Sequence, residues 1–289
     1  MKRNQRNQVS LDMINSSARC VIDHSALRPF TIQSLVRVGR PDGDGGYVVP
    51  EHILTSATTV LSLGLGRDWT FDLDIRRRNP SAKIIGVDGT IAAKQFQRMD
   101  RIARIKGIIY TALGKGQKVR KYEEHRELAA NYRMLFSAPH VHIEKMVGPK
   151  DTDTDVSIPT LLRYSNGQQH GTFIKMDIEG GEYDVIQDLV THAEMISCIT
   201  AEFHGLTTRP DLFMSAFEKL TTKFTNVHIH GNNCGSYCDV LNIPDAVEIT
   251  FVNNDLMSTD TQPVADTFPR KGLDVPNRAD RPDYVLALG

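Results

Sequence analysis

The sequence predicts an α/β fold with a mostly parallel seven-stranded sheet flanked by helices, and three observations support this. Short apolar runs rich in β-branched residues recur seven times along the 289-residue chain. Longer polar stretches with helical spacing separate them, an alternation typical of a parallel sheet. The composition, 40% hydrophobic and 24% charged, is that of a globular protein with a sizeable core. The predicted strands cover residues 59–63, 83–87, 141–147, 172–176, 198–203, 226–229 and 247–252.

Three of the stretches between these runs are predicted to form helices. Residues 69–78 mix apolar and charged side chains and end near Pro80, because the residue before a proline avoids the α region. Residues 182–189 and 211–220 are amphipathic, with apolar side chains on one face. Residues 114–133 begin with glycines and lysines, which predicts a loop leading into a solvated helix.

The chain length favours one large domain with extensions at both ends. We expect residues 1–34 to form an N-terminal segment, helical or extended, and residues 35–289 to form the domain. From about residue 253 the chain is rich in proline, which predicts an irregular C-terminal extension before a last short strand at residues 284–288. Such an extension is long enough to drape over a site.

The charge balance and the absence of long apolar runs exclude several classes of protein. Lysine and arginine number 34 against 35 acidic residues, so no bulk field favours nucleic acid or an anionic membrane as a partner, although a local basic patch is compatible with this balance. No run of about 18 apolar residues is present, so no membrane span is predicted. The basic first ten residues lack a following apolar segment, and the four cysteines are scattered. We therefore expect a cytoplasmic protein; its oligomeric state is left open.

Ligands of an open parallel sheet bind at the carboxyl ends of its strands, so the residues that follow each strand matter most. Gly64 and Gly66 follow the first predicted strand, where glycine lets the backbone approach a nucleotide closely. Asp88 follows the second strand, 22 residues after Gly66, about where a carboxylate reaches a ribose. Together they indicate an adenosine-containing ligand. The alternative is a tight turn with a surface aspartate.

Three carboxylates lie within six residues after the fourth predicted strand, at Asp177, Glu179 and Glu182. Carboxylates gathered at the carboxyl end of one strand can bind a cation, deprotonate a hydroxyl or position a cationic ligand. Glu182 alone has a simpler explanation, because a carboxylate in the first turn stabilises a helix through its dipole. This cluster is the second candidate site in the sequence.

The ordered set of these motifs resembles the FkbM-type methyltransferases, a branch of the Rossmann-like enzymes that use S-adenosylmethionine. The resemblance covers about residues 60 to 206 and extends toward residue 252. Upstream, GRPDGDGGYVVP at 39–50 is similar to a subgroup with a D-G-G-Y element, as is HIHGNN at 228–233. The motifs are VLSLGLGRDWTFD at 60–72, GVDGT at 86–90, SIPTLL at 157–162, FIKMDIEGGEYDVI at 173–186 and AEFHGL at 201–206.

The resemblance implies a class I methyltransferase fold with S-adenosylmethionine as cofactor. Carried over by position, it implies that Gly64 and Gly66 let the methionine portion of the cofactor approach. It also implies that Asp88 holds the ribose and that Asp68 and Phe71 line the cofactor pocket.

Asp177 and Glu179 are the first catalytic candidates, since the resemblance places a substrate-side or metal-binding group at the end of the fourth strand. If the acceptor is a hydroxyl, a base is needed, and His204 and His230 are candidates because histidine titrates near neutral pH. The same residues, in particular Asp177, His204 and His230, could instead ligate a divalent cation. The simpler alternative is that His204 is a capped loop residue and that His228, two residues before His230, is a partly buried strand residue.

The function that the resemblance implies is O-methylation of a hydroxyl on a sugar, a glycan or another small metabolite. No nucleic-acid partner is expected, because the sequence has neither a base-flipping motif of the Asn/Asp-Pro-Pro-Tyr type nor an evident basic face. An NAD-dependent oxidoreductase would share the glycine loop and Asp88, but Trp69 replaces the third glycine of the dinucleotide fingerprint. A non-catalytic binding module that retains the fold is the third hypothesis. The acceptor, the need for a metal and a role of the C-terminal extension as a lid are not specified by the sequence.

Overall fold

The computed structural model describes residues 22–165 and 167–288. The strands in this part of the chain are β1 (Leu35–Gly39), β2 (Gly46–Pro50), β3 (Thr59–Leu63), β4 (Lys83–Val87), β5 (Val141–Ile143), β6 (Met146–Val147), β7 (Asp155–Val156), β8 (Thr172–Met176), β9 (Ile196–His204), β10 (Phe224–Gly231), β11 (Tyr237–Cys238), β12 (Ile243–Pro244) and β13 (Ala246–Asn253). The α-helices are α1 (Glu51–Ser56), α2 (Thr70–Arg78), α3 (Ala93–Ala112), α4 (Gly116–Leu135), α5 (Ile158–Leu162), α6 (Glu182–Thr191) and α7 (Pro210–Thr221).

Seven of these strands form one sheet in the order β10-β13-β9-β8-β3-β4-β5. All neighbours from β9 to β5 pair in parallel, whereas β13 runs antiparallel to both β9 and β10. The predicted Rossmann-like α/β class with a mostly parallel seven-stranded sheet is confirmed. The hairpin of β1 and β2 forms a separate two-stranded sheet.

The order of the strands reverses between β3 and β8. From β3 the chain proceeds outward to β4 and β5, and it then returns to β8 on the other side of β3. A crevice opens at the carboxyl ends of such a strand pair because their connections leave in opposite directions. Gly64 follows β3 and Asp177 follows β8, so these two residues meet at this point.

The central strands are mostly apolar and are buried along their whole length, because helices cover both faces of the sheet. All five residues of β3 and of β8 are buried. In β8, Ile174 and Met176 belong to the cluster on the face of α6 and α7, whereas Phe173 packs into the cluster of the opposite face. The core therefore has two layers, one on each face of the sheet.

Two strand predictions need correction. The run at residues 141–147 is not one strand, because the chain turns after β5 and Met146 donates its amide to the carbonyl of Thr154. As a result β6 pairs with β7 in a separate small sheet. Residues 284–288 form only an isolated bridge, between Leu286 and Phe268, and do not join any sheet.

The three predicted helices are confirmed as α2, α6 and α7. Residues 114–133 correspond to α4, which begins two residues after the predicted start and contains few buried residues. The sequence did not indicate α3, a helix of 20 residues that forms a hairpin with α4. Among the described residues, no helix has the length and apolar composition needed to cross a membrane.

Both ends of the described chain pack against the sheet edge formed by β10. Asn226 donates to the carbonyl of Leu27 at 2.7 Å, and Arg28 donates to the carbonyls of Val264 and Leu288 at 2.6 and 2.9 Å. The N-terminal and C-terminal segments therefore hold each other in place. Most of the predicted segment 1–34 lies outside the described residues, and its separation from a domain at 35–289 stays a prediction.

Candidate functional site

A cleft of about 540 Å³ opens at the carboxyl ends of β3 and β8, where the strand order reverses. Its volume lies in the range of ~300–1,000 Å³ that is usual for small-molecule sites. The structure brings together at this cleft all the residues predicted to bind the cofactor and two of the predicted catalytic residues. These are Gly64, Gly66, Asp68, Phe71, Asp88, Asp177 and Glu179.

The two glycines of the loop after β3 serve different purposes. Gly64 has a φ of +77°, and a Cβ atom on it would collide with the backbone carbonyl of Asp177. Gly66 has a φ of +54°, but nothing lies within 4 Å of the position its Cβ would occupy. Gly64 therefore lets two strand ends meet, whereas the missing side chain of Gly66 leaves the cleft open.

Asp88 holds the glycine loop in place. Its Oδ2 accepts hydrogen bonds from the amides of Leu65 and Gly66 at 3.0 and 2.8 Å, and its Oδ1 accepts from the amide and hydroxyl of Thr90. Burial alone raises the pKa of Asp88, but these hydrogen bonds lower it overall. Because a carboxylate accepts about four hydrogen bonds, a ribose hydroxyl can bind Asp88 only if the Thr90 hydroxyl turns away.

Asp68 and Phe71 connect the cleft to the β1–β2 hairpin. Asp68 accepts hydrogen bonds from the amide and hydroxyl of Thr70 at the start of α2, and it forms an ion pair with Arg40 at 3.2 Å. Phe71 meets the ring of Tyr47 edge-on, with ring centroids 5.4 Å apart. The hairpin thus forms one wall of the cleft.

Two residues that sequence reasoning missed orient the carboxylate of Asp177. The Tyr47 hydroxyl donates to its Oδ2 at 3.2 Å, and the Lys175 ammonium lies 3.4 Å from the same oxygen. Lys175 also donates to the carbonyl of Gly64 at 2.7 Å. Burial and the nearby charge of Asp177 hold the pKa of Tyr47 well above its ordinary value, so the phenol keeps its proton. The D-G-G-Y element contained Tyr47, but nothing in the sequence paired it with Asp177.

Asp72 is a third missed residue of the cleft. Its side chain is buried, and its Oδ1 has no hydrogen-bond partner within the described ranges 22–165 and 167–288. Burial raises the pKa of Asp72, and the nearby Ser62 hydroxyl and the charge of Lys175 only partly offset this effect. A buried oxygen that lacks a partner is costly, so it indicates a place for a donor group of a ligand.

Asp177, Glu179 and His204 form a cluster whose ligand atoms lie within 4.8 Å of one another. His204 Nδ1 is 3.1 Å from Glu182 Oε1, and its Nε2 is 3.5 Å from Glu202 Oε1. Burial lowers the pKa of His204, but the surrounding carboxylates raise it overall to about 9. The ring is therefore protonated at neutral pH, which does not fit the predicted role of general base there.

The structure does not bring His230 to the cleft. Its Nδ1 is 3.2 Å from Glu248 Oε2, its Nε2 is 3.0 Å from Asp283 Oδ2, and its side chain is 1% exposed. Burial lowers the pKa of His230, but hydrogen bonds to Asp283 and Glu248 raise it to about 10. Since both ring nitrogens are occupied by carboxylates, His230 fastens the C-terminal extension to the sheet. This position corrects the expectation that it faces the same crevice as Asp177.

The contribution of His230 to stability is expected to fall with rising pH. Because the folded pKa is raised above the usual value of about 6.5, the contribution is complete below pH ~6.5 and is lost as the pH rises through ~10. Within this window, the free energy of unfolding falls with pH at a slope of about 1.4 kcal/mol per pH unit. Urea unfolding at pH 7 and pH 9 measures it. His230→Gln should remove this part of the slope, and the exposed His52→Gln should keep it; equal slopes in both variants would contradict the assignment.

No family model matches this chain, and no curated protein sequence matches it. Among solved structures, precorrin-6y C5,15-methyltransferase from Geobacter metallireducens GS-15 is 11% identical with a TM-score of 0.33, covering 70% of this chain and 84% of that one. A variant of the 16S rRNA (adenine(1408)-N(1))-methyltransferase from Catenulisporales acidiphilia is 12% identical with a TM-score of 0.34, and the match covers 77% of this chain and 100% of that one. Because these TM-scores are below 0.5, we infer the function from the site itself. Fold and site define a Rossmann-like α/β protein with a ligand cleft at its strand switch point.

Proposed function

We propose that this protein is an S-adenosylmethionine-dependent methyltransferase of the FkbM type, acting on a hydroxyl of a sugar, a glycan or another small metabolite. The observation that carries the proposal is the acidic lining of a cleft at the strand switch point. Three basic residues line it, Arg40, Arg67 and Lys175. Six acidic residues line it, namely Asp44, Asp68, Asp72, Asp88, Asp177 and Glu179.

The net negative charge of the cleft lining favours one of two candidate nucleotide cofactors over the other. S-adenosylmethionine carries a cationic sulfonium and an ammonium beside one carboxylate, whereas NAD carries an anionic pyrophosphate. An excess of carboxylates attracts the first and repels the second. The excess persists even if Asp72 is counted as neutral, since burial raises its pKa.

The start of α2 also argues against a dinucleotide. A pyrophosphate normally binds at the helix N-terminus that follows the first strand. Here Asp68 already accepts the amide of Thr70 at 3.0 Å, which places a carboxylate at that point. Trp69 stands where the fingerprint has its third glycine, and it packs against Phe96 and Tyr132 with centroids 5.1 and 5.5 Å away.

The residues of the cleft fit S-adenosylmethionine by their chemistry. The buried, unpaired oxygen of Asp72 offers an acceptor to the ammonium or to a hydroxyl. Asp88 fixes the loop that contains Gly66. Because no atom lies within 4 Å of the position of a Cβ on Gly66, a ligand can approach the backbone closely there. When bound, the cofactor supplies an activated methyl group, so the protein mainly aligns the acceptor and removes its proton.

Asp177 is the residue we assign to accept the proton of the acceptor hydroxyl. Its side chain is 27% exposed and lines the cleft, while Tyr47 and Lys175 fix one of its oxygens. The imidazolium of His204, with its Nε2 3.9 Å from Asp177 Oδ1, balances the negative charge beside it. A divalent cation between Asp177, Glu179 and His204 is a second candidate arrangement, which would require His204 to lose its proton.

Calorimetric titration of the purified protein with S-adenosylhomocysteine tests the proposal, with NAD in parallel and with or without magnesium. We expect micromolar binding of S-adenosylhomocysteine and none of NAD. Binding of NAD alone would replace the proposal with an oxidoreductase, and binding of neither would favour a non-catalytic module. A dependence on magnesium would assign the cation to Asp177, Glu179 and His204.

Asp88→Ala is expected to weaken S-adenosylhomocysteine binding at least about tenfold, because the variant releases the amides of Leu65 and Gly66 that shape the loop. Asp211→Ala, an exposed acidic residue on α7, is the matched control and should bind as the wild type does. The same titration measures both. An unchanged dissociation constant in Asp88→Ala would remove Asp88 from the cofactor site.

A further inference from the structure

We propose that the helical hairpin of α3 and α4 docks this protein on an anionic lipid surface, with isoleucines of α3 inserted among the headgroups. The proposal concerns a surface away from the cleft and does not depend on the proposed function. Apolar side chains on α3 and just after it are exposed to solvent. They are Ile102, Ile105, Ile108, Ile109 and Leu113.

These side chains form a stripe on one face of α3. Ile102, Ile105, Ile109 and Leu113 recur at intervals of three and four residues, which places them along one side of a helix. Ile105 and Ile108 are 62% and 74% exposed. A helix of a globular protein normally turns such a stripe toward the core, so this stripe needs a partner outside the described chain.

The surroundings of the stripe are strongly basic. Residues 101–122 contain seven lysines and arginines and no acidic residue, although the whole chain has a net charge of −1. The basic residues are Arg101, Arg104, Lys106, Lys115, Lys118, Arg120 and Lys121. Exposed aliphatic side chains flanked by cations are the pattern of a helix that lies in the interface of an anionic bilayer. The charge of the hairpin is thus complementary to a surface rich in phosphatidylserine or similar lipids.

The aromatic rings of the hairpin are already engaged, which argues against a nucleic acid as the partner. Tyr110 and Tyr122 stack with centroids 5.6 Å apart and hold the two helices together. The ammonium of Lys118 lies 4.9 Å from the Tyr110 ring, and that of Lys106 lies 5.8 Å from the Tyr122 ring. Single-stranded nucleic acids bind by stacking bases on free rings, and neither ring is free.

A second copy of the hairpin is also a poor partner. Joining two stripes face to face would bring two clusters of seven cations together, and like charges repel at such a short distance. An anionic lipid surface suits both the cations and the exposed isoleucines, because its headgroups neutralise the cations and its acyl boundary accepts the isoleucines.

Sedimentation of the full chain with vesicles tests the proposal. We expect the protein to pellet with vesicles that contain phosphatidylserine and to remain in solution with phosphatidylcholine alone, and added salt should reverse the binding. Arg120→Gln combined with Lys121→Gln should lower the partition coefficient about 25-fold, since each cation contributes about fivefold. Ile105→Ser combined with Ile109→Ser should lower it at least about tenfold.

The control is Leu212→Ser, an exposed apolar residue on α7, which should partition as the wild type does. All these positions are exposed, so the urea midpoint is expected to stay unchanged and to exclude a folding defect. Equal pelleting with both kinds of vesicle, or no effect of the isoleucine substitutions, would overturn the proposal. So would tight binding of single-stranded RNA, or a dimer in size-exclusion chromatography that the isoleucine substitutions abolish.

Discussion

Asp177→Asn is expected to lower the rate of methyl transfer at least about a hundredfold while the dissociation constant of S-adenosylhomocysteine changes less than about threefold. The amide has the shape of the carboxylate but cannot accept a proton, and a positioned general base contributes about 10²–10⁴ in rate. The Tyr47 hydroxyl can still donate to the remaining oxygen, so the geometry of the wall should persist. Single-turnover transfer to the acceptor, once it is found, measures the rate, and calorimetry measures the affinity.

Asp184→Asn is the matched control for this prediction, because Asp184 is an exposed acidic residue in the first turn of α6, near the cluster but outside the cleft. It should retain the full rate. Full activity in Asp177→Asn would remove the catalytic assignment. A parallel loss of cofactor affinity in Asp177→Asn would instead make the residue a cofactor contact.

Gly64→Ala is expected to destabilise the protein by about 2–5 kcal/mol. The new methyl group would collide with the carbonyl of Asp177, and the backbone of Gly64 has a φ of +77° that a residue with a Cβ adopts only at a cost of about 1–2 kcal/mol. Relief of the collision requires the ends of β3 and β8 to separate, which adds a packing cost of about 1–3 kcal/mol. Equilibrium unfolding in urea measures the difference.

Gly66→Ala supplies the comparison within the same loop. Its φ of +54° is also left-handed, but no atom lies within 4 Å of the added methyl group, so the expected cost is about 1 kcal/mol. Because the methyl group would project into open cleft space, Gly66→Ala should affect ligand binding more than stability. Similar unfolding midpoints for the two variants would show that the contact with Asp177 does not set the role of Gly64.

The sheet was predictable from the sequence because parallel strands covered on both faces are short, mostly apolar runs, as β3 and β8 are. The same signal misled at residues 141–147, where two short strands of different sheets follow one another and read as one run. Helix α3 escaped prediction for a physical reason. Ile102, Ile105 and Ile109 have helical spacing, but Ala92 takes the N-cap position without a side-chain cap, so the polar residue that usually marks a helix start is absent.

The cleft was predictable as far as its residues follow strands directly, as Gly64, Asp88 and Asp177 do. Tyr47 reaches Asp177 across 130 positions of sequence, and no local pattern contains such a contact. The case of His230 is similar. Its place at the end of a predicted strand suggested that it faces the crevice, but Asp283, 53 residues later, occupies one of its ring nitrogens.

The position of β13 bears on the order in which the molecule can be assembled during translation. This strand lies between β9 and β10, although it follows both in the chain. Until the ribosome has passed Asn253, β9 has one open edge and β10 has no sheet neighbour, and such edges template association between chains. Contacts between distant segments also slow folding. We therefore expect the sheet to close in one late step, and fragments that end before Ala246 to aggregate.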